Sequence, residues 1–145
     1  MTGYARSRPR HDVGNPDRHV VLRGGPGRPN YYPENVREAA RLLAAAGLPT
    51  GLVIDAGHGN SGKDHEQQAM VARQIGAQVA AVNTDIRGVK LEGFLIPGRQ
   101  ELGLQDPVFG QSVTDACMGR DTTVAVLHDL AAATRQRRAV TAAAR

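Results

Sequence analysis

The sequence predicts an α/β fold with parallel strands, and three observations carry that prediction. Short apolar, β-branched runs alternate with longer stretches whose apolar residues recur at helical spacing. Each apolar run breaks into glycine with polar side chains close by, as a buried strand does when it leaves a sheet. The resulting order, β-α-β-α-β-loop-α, is a series of β/α units, which implies right-handed crossovers between parallel strands.

The elements follow in order. Residues 1–17 are polar, carry Pro9, Gly14 and Pro16, and show no apolar period, so they read as irregular. A first strand is expected over 19–23, closed by Arg23 and the exit turn Gly24-Gly25. After a loop, Pro33 suits a first helical turn and a helix follows over 34–46, with Val36, Ala39, Ala40 and Leu43 on one face. Gly47 is its expected C-cap. The second strand is Gly51 to Asp55, and a second helix is expected over 64–82 with Met70, Val71, Ile75 and Val79 inward. Residues 87–95 read as a third strand, with Glu92 inside it, and 96–112 as a long loop bearing glycine and proline. A last helix starts near Asp121 and packs Val124, Leu127 and Ala131. Three parallel strands leave two open edges, and parallel sheets normally need cover on both faces, so the sheet is expected to belong to something larger.

Composition narrows the function classes. The 145 residues suffice for one domain, 41% hydrophobic but only 3% aromatic, so the core is aliphatic and small. The single cysteine excludes an internal disulfide and fits a reducing cytosol, and the N-terminus lacks the apolar stretch of a signal peptide. No run approaches the roughly 18 apolar residues of a membrane span. A cytoplasmic protein with no membrane partner is therefore expected. The net charge of +4 sits largely in the two ends, at Arg6, Arg8 and Arg10 and at Arg135, Arg137, Arg138 and Arg145. With no Trp and few aromatics for base stacking, these read as solvated ends and no nucleic-acid partner is expected.

The segment Gly51 to Asp64 carries the strongest chemical signal. Gly57 to Lys63 fits the GxxxxGK pattern of a phosphate loop, between a strand and a helix. The position after the lysine needs a Mg²⁺-binding hydroxyl and holds Asp64, whose carboxylate would repel phosphate. Asp64 fits better as a helix N-terminal residue, favoured there by the macrodipole. The competing possibility is a metal-ligand histidine. His58, Glu92 and Asp115 come from successive β/α units and could converge on one divalent cation, with a donor set that suits Mn²⁺, Fe²⁺, Co²⁺ or Zn²⁺. Spacing alone leaves the plainer alternatives open: an exposed loop histidine, a glutamate on a solvent-facing strand edge, and an aspartate serving as a turn or N-cap residue.

Four stretches together resemble a known family. Leu22-Arg23-Gly24-Gly25, Ile54 to Lys63, Glu92-Gly93-Phe94-Leu95 with Gly98-Arg99-Gln100, and Ser112 to Cys117 appear in the order of the class I 3-deoxy-D-arabino-heptulosonate 7-phosphate (DAHP) synthases. The resemblance runs from about Gly14 to Arg138. It implies a partial barrel over 14–138, the last three or so β/α units of a (β/α)8 TIM barrel, between an irregular basic segment at 1–13 and a tail at 139–145. It further implies a condensation of phosphoenolpyruvate with erythrose 4-phosphate, the entry to aromatic amino-acid biosynthesis. His58, Glu92 and Asp115 would be three of four metal ligands. His58 and Asp115 would be catalytic, Asp115 positioning the aldehyde, and Arg23 would bind phosphoenolpyruvate.

Departures from the family pattern bound that expectation. The family's metal cysteine, its Lys-Pro-Arg-Thr motif and other basic substrate groups belong to the first half of a barrel of about 250 residues. Cys117 belongs to the segment after Asp115 and is no replacement. Gly57 stands where serine is usual, and Pro97 and Arg99 alter the stretch after Glu92. The chain is thus expected to be a fragment inactive alone, either natural or from an incomplete reading frame. Alternatively it is a non-catalytic protein whose open sheet pairs with a second copy or a barrel-completing partner.

Overall fold

The computed structural model describes residues 15, 18–103 and 105–144. The basic segment expected over 1–13 lies outside them. Three parallel strands, β1 (Val20–Leu22), β2 (Leu52–Asp55) and β3 (Ile86–Lys90), form one sheet in sequential order. Helix α1 (Pro33–Ala45) joins the first two strands and α2 (His65–Ala80) the second pair. A parallel pair, β4 (Ile96–Arg99) and β5 (Gln111–Ser112), precedes the long helix α3 (Arg120–Ala143). Among the described residues no helix is long and apolar enough to cross a membrane.

Local chemistry sets the helix limits. Pro33 opens α1, and Gly47 ends it in the left-handed region at φ 68°. There the Gly47 N–H donates to Ala44 O and the Leu48 N–H to Leu43 O, the paired bonds of a Schellman stop. Asp64 caps α2: its side chain accepts from the N–H groups of Glu66 and Gln67.

The core lies between sheet and helices. Leu52, Ile54 and Ile86 of the strands meet Val71, Ala72 and Ile75 of α2, Met118, and Val126 of α3, all essentially excluded from water. Burying one such side chain contributes about 1.5–3 kcal/mol. Gly76 of α2 faces α3, where a Cβ would meet Leu130 at 3.4 Å and Ala133 at 3.9 Å, ordinary contact distances.

Four expectations need correction. The third strand ends at Lys90, so Glu92 lies beyond it rather than inside it. A side chain takes over the role of the next strand there: Gln68 Oε1 accepts from Glu92 N–H at 2.6 Å and Gln68 Nε2 donates to Glu92 O at 3.1 Å. The stretch 96–112 is not all loop, because β4 and β5 pair within it. Buried Gln100 staples the turn between them, donating to Val108 O and Gln111 O and accepting from Val108 N–H. Met70 is nearly half exposed, whereas Val71, Ile75 and Val79 point inward as expected. In α3, Val124, Leu127 and Ala131 face solvent, and Val126, Leu130 and Ala133 make the contact with the core. The helix turns one residue further round than the apolar pattern alone suggests, because alanine and leucine occur on both its faces.

Candidate metal centre

All the candidate site residues stand just past the C-terminal ends of strands. Arg23 follows β1, His58 lies in the loop after β2, Glu92 two residues after β3, and Asp115 three after β5. A parallel sheet collects these exits on one side, which is why chemistry gathers there in α/β folds.

The loop after β2 is held by its own polar groups. Asn60 is buried, and its Nδ2 donates to Leu22 O and Asp55 O at the ends of β1 and β2. Asn60 Oδ1 accepts from Asn30 N–H at 2.7 Å, and Asn30 Oδ1 accepts from Gly24 N–H at 2.8 Å. Two glycines allow the backbones this close. A Cβ on Gly24 would stand 2.7 Å from Asn60 N, and one on Gly59 would stand 2.6 Å from Gly24 C. His58 sits at φ 50°, a left-handed conformation uncommon outside glycine and one that the surrounding bonds must hold.

The charged groups form one chain of contacts. Asp55, only 2% exposed, accepts from Gly57 N–H at 2.9 Å through Oδ1. Its Oδ2 lies 2.9 Å from His58 Nδ1, although the pair does not meet hydrogen-bond geometry. This places Asp55 behind the imidazole, leaving Nε2 to face Glu92 Oε1 at 3.5 Å. Lys90 Nζ donates to Asp55 Oδ2 and to Glu92 Oε1, each at 3.1 Å. Partial burial disfavours that ammonium, but the bonds to the two carboxylates outweigh it and hold its pKa above the ordinary lysine value.

His58, Glu92 and Asp115 each offer a ligand atom, and these atoms lie within 4.8 Å of one another. They border a small cavity of ≈ 20 Å³ together with Gln68 and Ser61, room for about one water or ion. Ligands of a single ion stand up to about 4 Å apart, so one ion would need these side chains, of which Asp115 is the exposed one, to draw somewhat closer. An imidazole and two carboxylates suit a divalent transition metal. Cys117 is outside this group; its Sγ contacts Asp115 O.

Arg23 stands with His58 and Lys63 around a second, larger opening of ≈ 450 Å³ floored by Gly24, Gly25 and Gly59. The phosphate-loop alternative loses support, because Asp64 already occupies N–H groups of α2 that a phosphate would need. His58, Glu92 and Asp115 were thus brought together as the sequence suggested, with Arg23 beside them. Asp55, Lys90, Gln68 and Asn60 were not singled out from sequence. Gln68 had a legible signal, a polar side chain in helical register with Val71, Ala72 and Ile75.

Comparisons with known proteins bear on the family of the chain. Residues 6–128 match the DAHP synthetase I family. The phospho-2-dehydro-3-deoxyheptonate aldolase of Corynebacterium glutamicum is 42% identical over 135 residues, covering 88% of this chain and 36% of that protein. The Phe-sensitive phospho-2-dehydro-3-deoxyheptonate aldolase of Escherichia coli K12 is 39% identical over 139 residues, or 95% of this chain and 39% of the relative. A solved structure of the Francisella tularensis aldolase superposes with a TM-score of 0.82 at 41% identity, over 86% of this chain and 36% of that one. The chain therefore spans well under half the length of these relatives. On the family match and these identities, it belongs to the DAHP synthetase I family.

Proposed function

We propose that this chain carries the metal-holding part of a 3-deoxy-7-phosphoheptulonate synthase active site, built on the last β/α units of a (β/α)8 barrel. The observation that carries the proposal is the convergence of His58, Glu92 and Asp115, from three separate strand exits, on one ion-sized cavity. The substrates would be phosphoenolpyruvate and erythrose 4-phosphate, in the cytoplasm, as the entry step to aromatic amino-acid biosynthesis.

Each residue then has a task. His58, Glu92 and Asp115 would hold a divalent cation (Mn²⁺, Fe²⁺, Co²⁺ or Zn²⁺), which when bound would supply Lewis-acid polarisation of the aldehyde. Asp55 sets the imidazole of His58 from behind, and Gln68 fixes the backbone of Glu92. Asp115, the most exposed of the three, faces outward to position the aldehyde substrate. Arg23 neutralises the anionic phosphoenolpyruvate from the neighbouring opening.

The groups described here are three metal ligands and one substrate arginine, so the chain alone is expected to be inactive. A second role, non-catalytic pairing with a partner chain or another copy, is favoured by the apolar Val20 and Val21, 40% and 42% exposed on β1, whose outer edge is unpaired among the described residues. One experiment separates the two. The purified chain is mixed with a separately expressed N-terminal half of the Corynebacterium glutamicum relative, and erythrose-4-phosphate-dependent loss of phosphoenolpyruvate is followed. Turnover only in the mixture supports the catalytic proposal; complex formation without turnover supports the pairing role. Turnover by the chain alone would contradict both.

A further inference from the structure

Lys90 closes β3 and stands opposite Asp55 in the register of the sheet. Its ammonium contacts Glu92 Oε1, the same oxygen that lies 3.5 Å from His58 Nε2. It also contacts Asp55 Oδ2, the oxygen 2.9 Å from His58 Nδ1. The lysine thus touches one proposed metal ligand and the carboxylate that backs another.

We propose that Lys90 is a built-in competitor of the divalent cation, neutralising Asp55 and Glu92 in the metal-free site and releasing Glu92 when an ion binds. This rests on the metal-holding role proposed for His58, Glu92 and Asp115. A carboxylate as buried as Asp55 is costly without a positive partner, and Lys90 supplies that partner before any ion arrives. The lysine side chain is itself 46% exposed, so it has a path outward into water. An ammonium and a divalent ion sharing one carboxylate oxygen repel each other across a few ångströms of partly screened space. That repulsion lowers the affinity for the ion by at least about tenfold. Lys90 therefore tunes how readily the site loads and unloads, without being a ligand.

The alternative is that Lys90 positions Glu92 for the metal, and the two possibilities predict opposite signs. The test titrates Mn²⁺ into the full chain, following the electron paramagnetic resonance signal of free Mn²⁺, for the parent, Lys90→Met, Lys90→Gln and Lys90→Arg. Melting temperatures are recorded with and without Mn²⁺. Lys90→Met is expected to bind Mn²⁺ at least about tenfold more tightly than the parent. Without metal it should melt lower than the parent, and it should gain more on adding Mn²⁺. Lys90→Gln, polar and uncharged, should show the same gain and guards against misfolding of the methionine variant. Lys90→Arg, which keeps the charge, should stay near the parent. Equal or weaker binding by both neutral variants, with the parent binding, would overturn the competitor role alone. Absence of Mn²⁺ binding in the parent and in every variant would overturn the metal centre itself, and this inference with it.

Discussion

At the scale of single residues, the site depends on side chains that tie backbone to backbone. Asn60 joins three chain segments through Leu22 O, Asp55 O and Asn30 N–H. Replacing it by alanine leaves those groups without partners in a place that water reaches poorly. Asn60→Ala is expected to cost about 3 kcal/mol, since each stranded buried polar group costs about 1–3 kcal/mol. Urea unfolding of the variant beside the parent measures this, and a loss under about 1 kcal/mol would show that the loop has another support. His58 was legible from sequence chiefly through the ordered motifs that resemble the family, since spacing alone left an exposed loop histidine open as well. Asp55 was not. Its partners His58 and Lys90 lie 3 and 35 positions away, and the second pairing arises only from the register shift between Leu52 and Val53.

At the scale of elements, the sequence reveals strands by their apolar runs and helices by their periods, but it hides substitutes for strands. Gly-Val-Lys-Leu-Glu-Gly-Phe-Leu alternates enough to suggest one continuous strand, whereas the ladder stops at Lys90. Beyond that point the Gln68 amide pairs with Glu92 in place of a neighbouring strand. The short pair β4–β5 was illegible for a related reason: Pro97 and Gly98 argue against a strand, and both are tolerated here because the pairing is brief and irregular. The α3 face was misjudged by one residue, as alanine-rich helices carry weak periodicity. Gln68→Leu keeps the volume of the side chain and removes its amide. The variant should lose about 2 kcal/mol of stability. Its Mn²⁺ affinity should fall about tenfold or more, as expected when the support of a metal ligand is removed. Isothermal titration with Mn²⁺ checks the second effect, and an affinity equal to the parent's would mean Glu92 is held by other contacts.

For the whole molecule, the fold class and the order of β/α units were readable from pattern alone, because each parallel strand is a short apolar or β-branched run and each crossover between them is a helix. The barrel context was not readable that way; it came from ordered motifs, and the family match bears out the resemblance. Three strands collect Arg23, His58 and Glu92 on one face, and the segment after β5 adds Asp115 to it. The same sheet leaves strand edges and the apolar side chains of Val20 and Val21 uncovered among the described residues, and Phe109, in the turn before β5, is 90% exposed. Under the proposed function, these uncovered strand edges are where the rest of a larger catalytic unit would pack.

The most direct test of the metal centre is a crystal of the chain soaked in Mn²⁺, with anomalous diffraction recorded above the manganese edge. One strong peak is expected about 2.1 Å from His58 Nε2 and from a carboxylate oxygen of Glu92 and of Asp115. No peak at that position, or a peak bound only by other residues such as the nearby His65, would contradict the assignment.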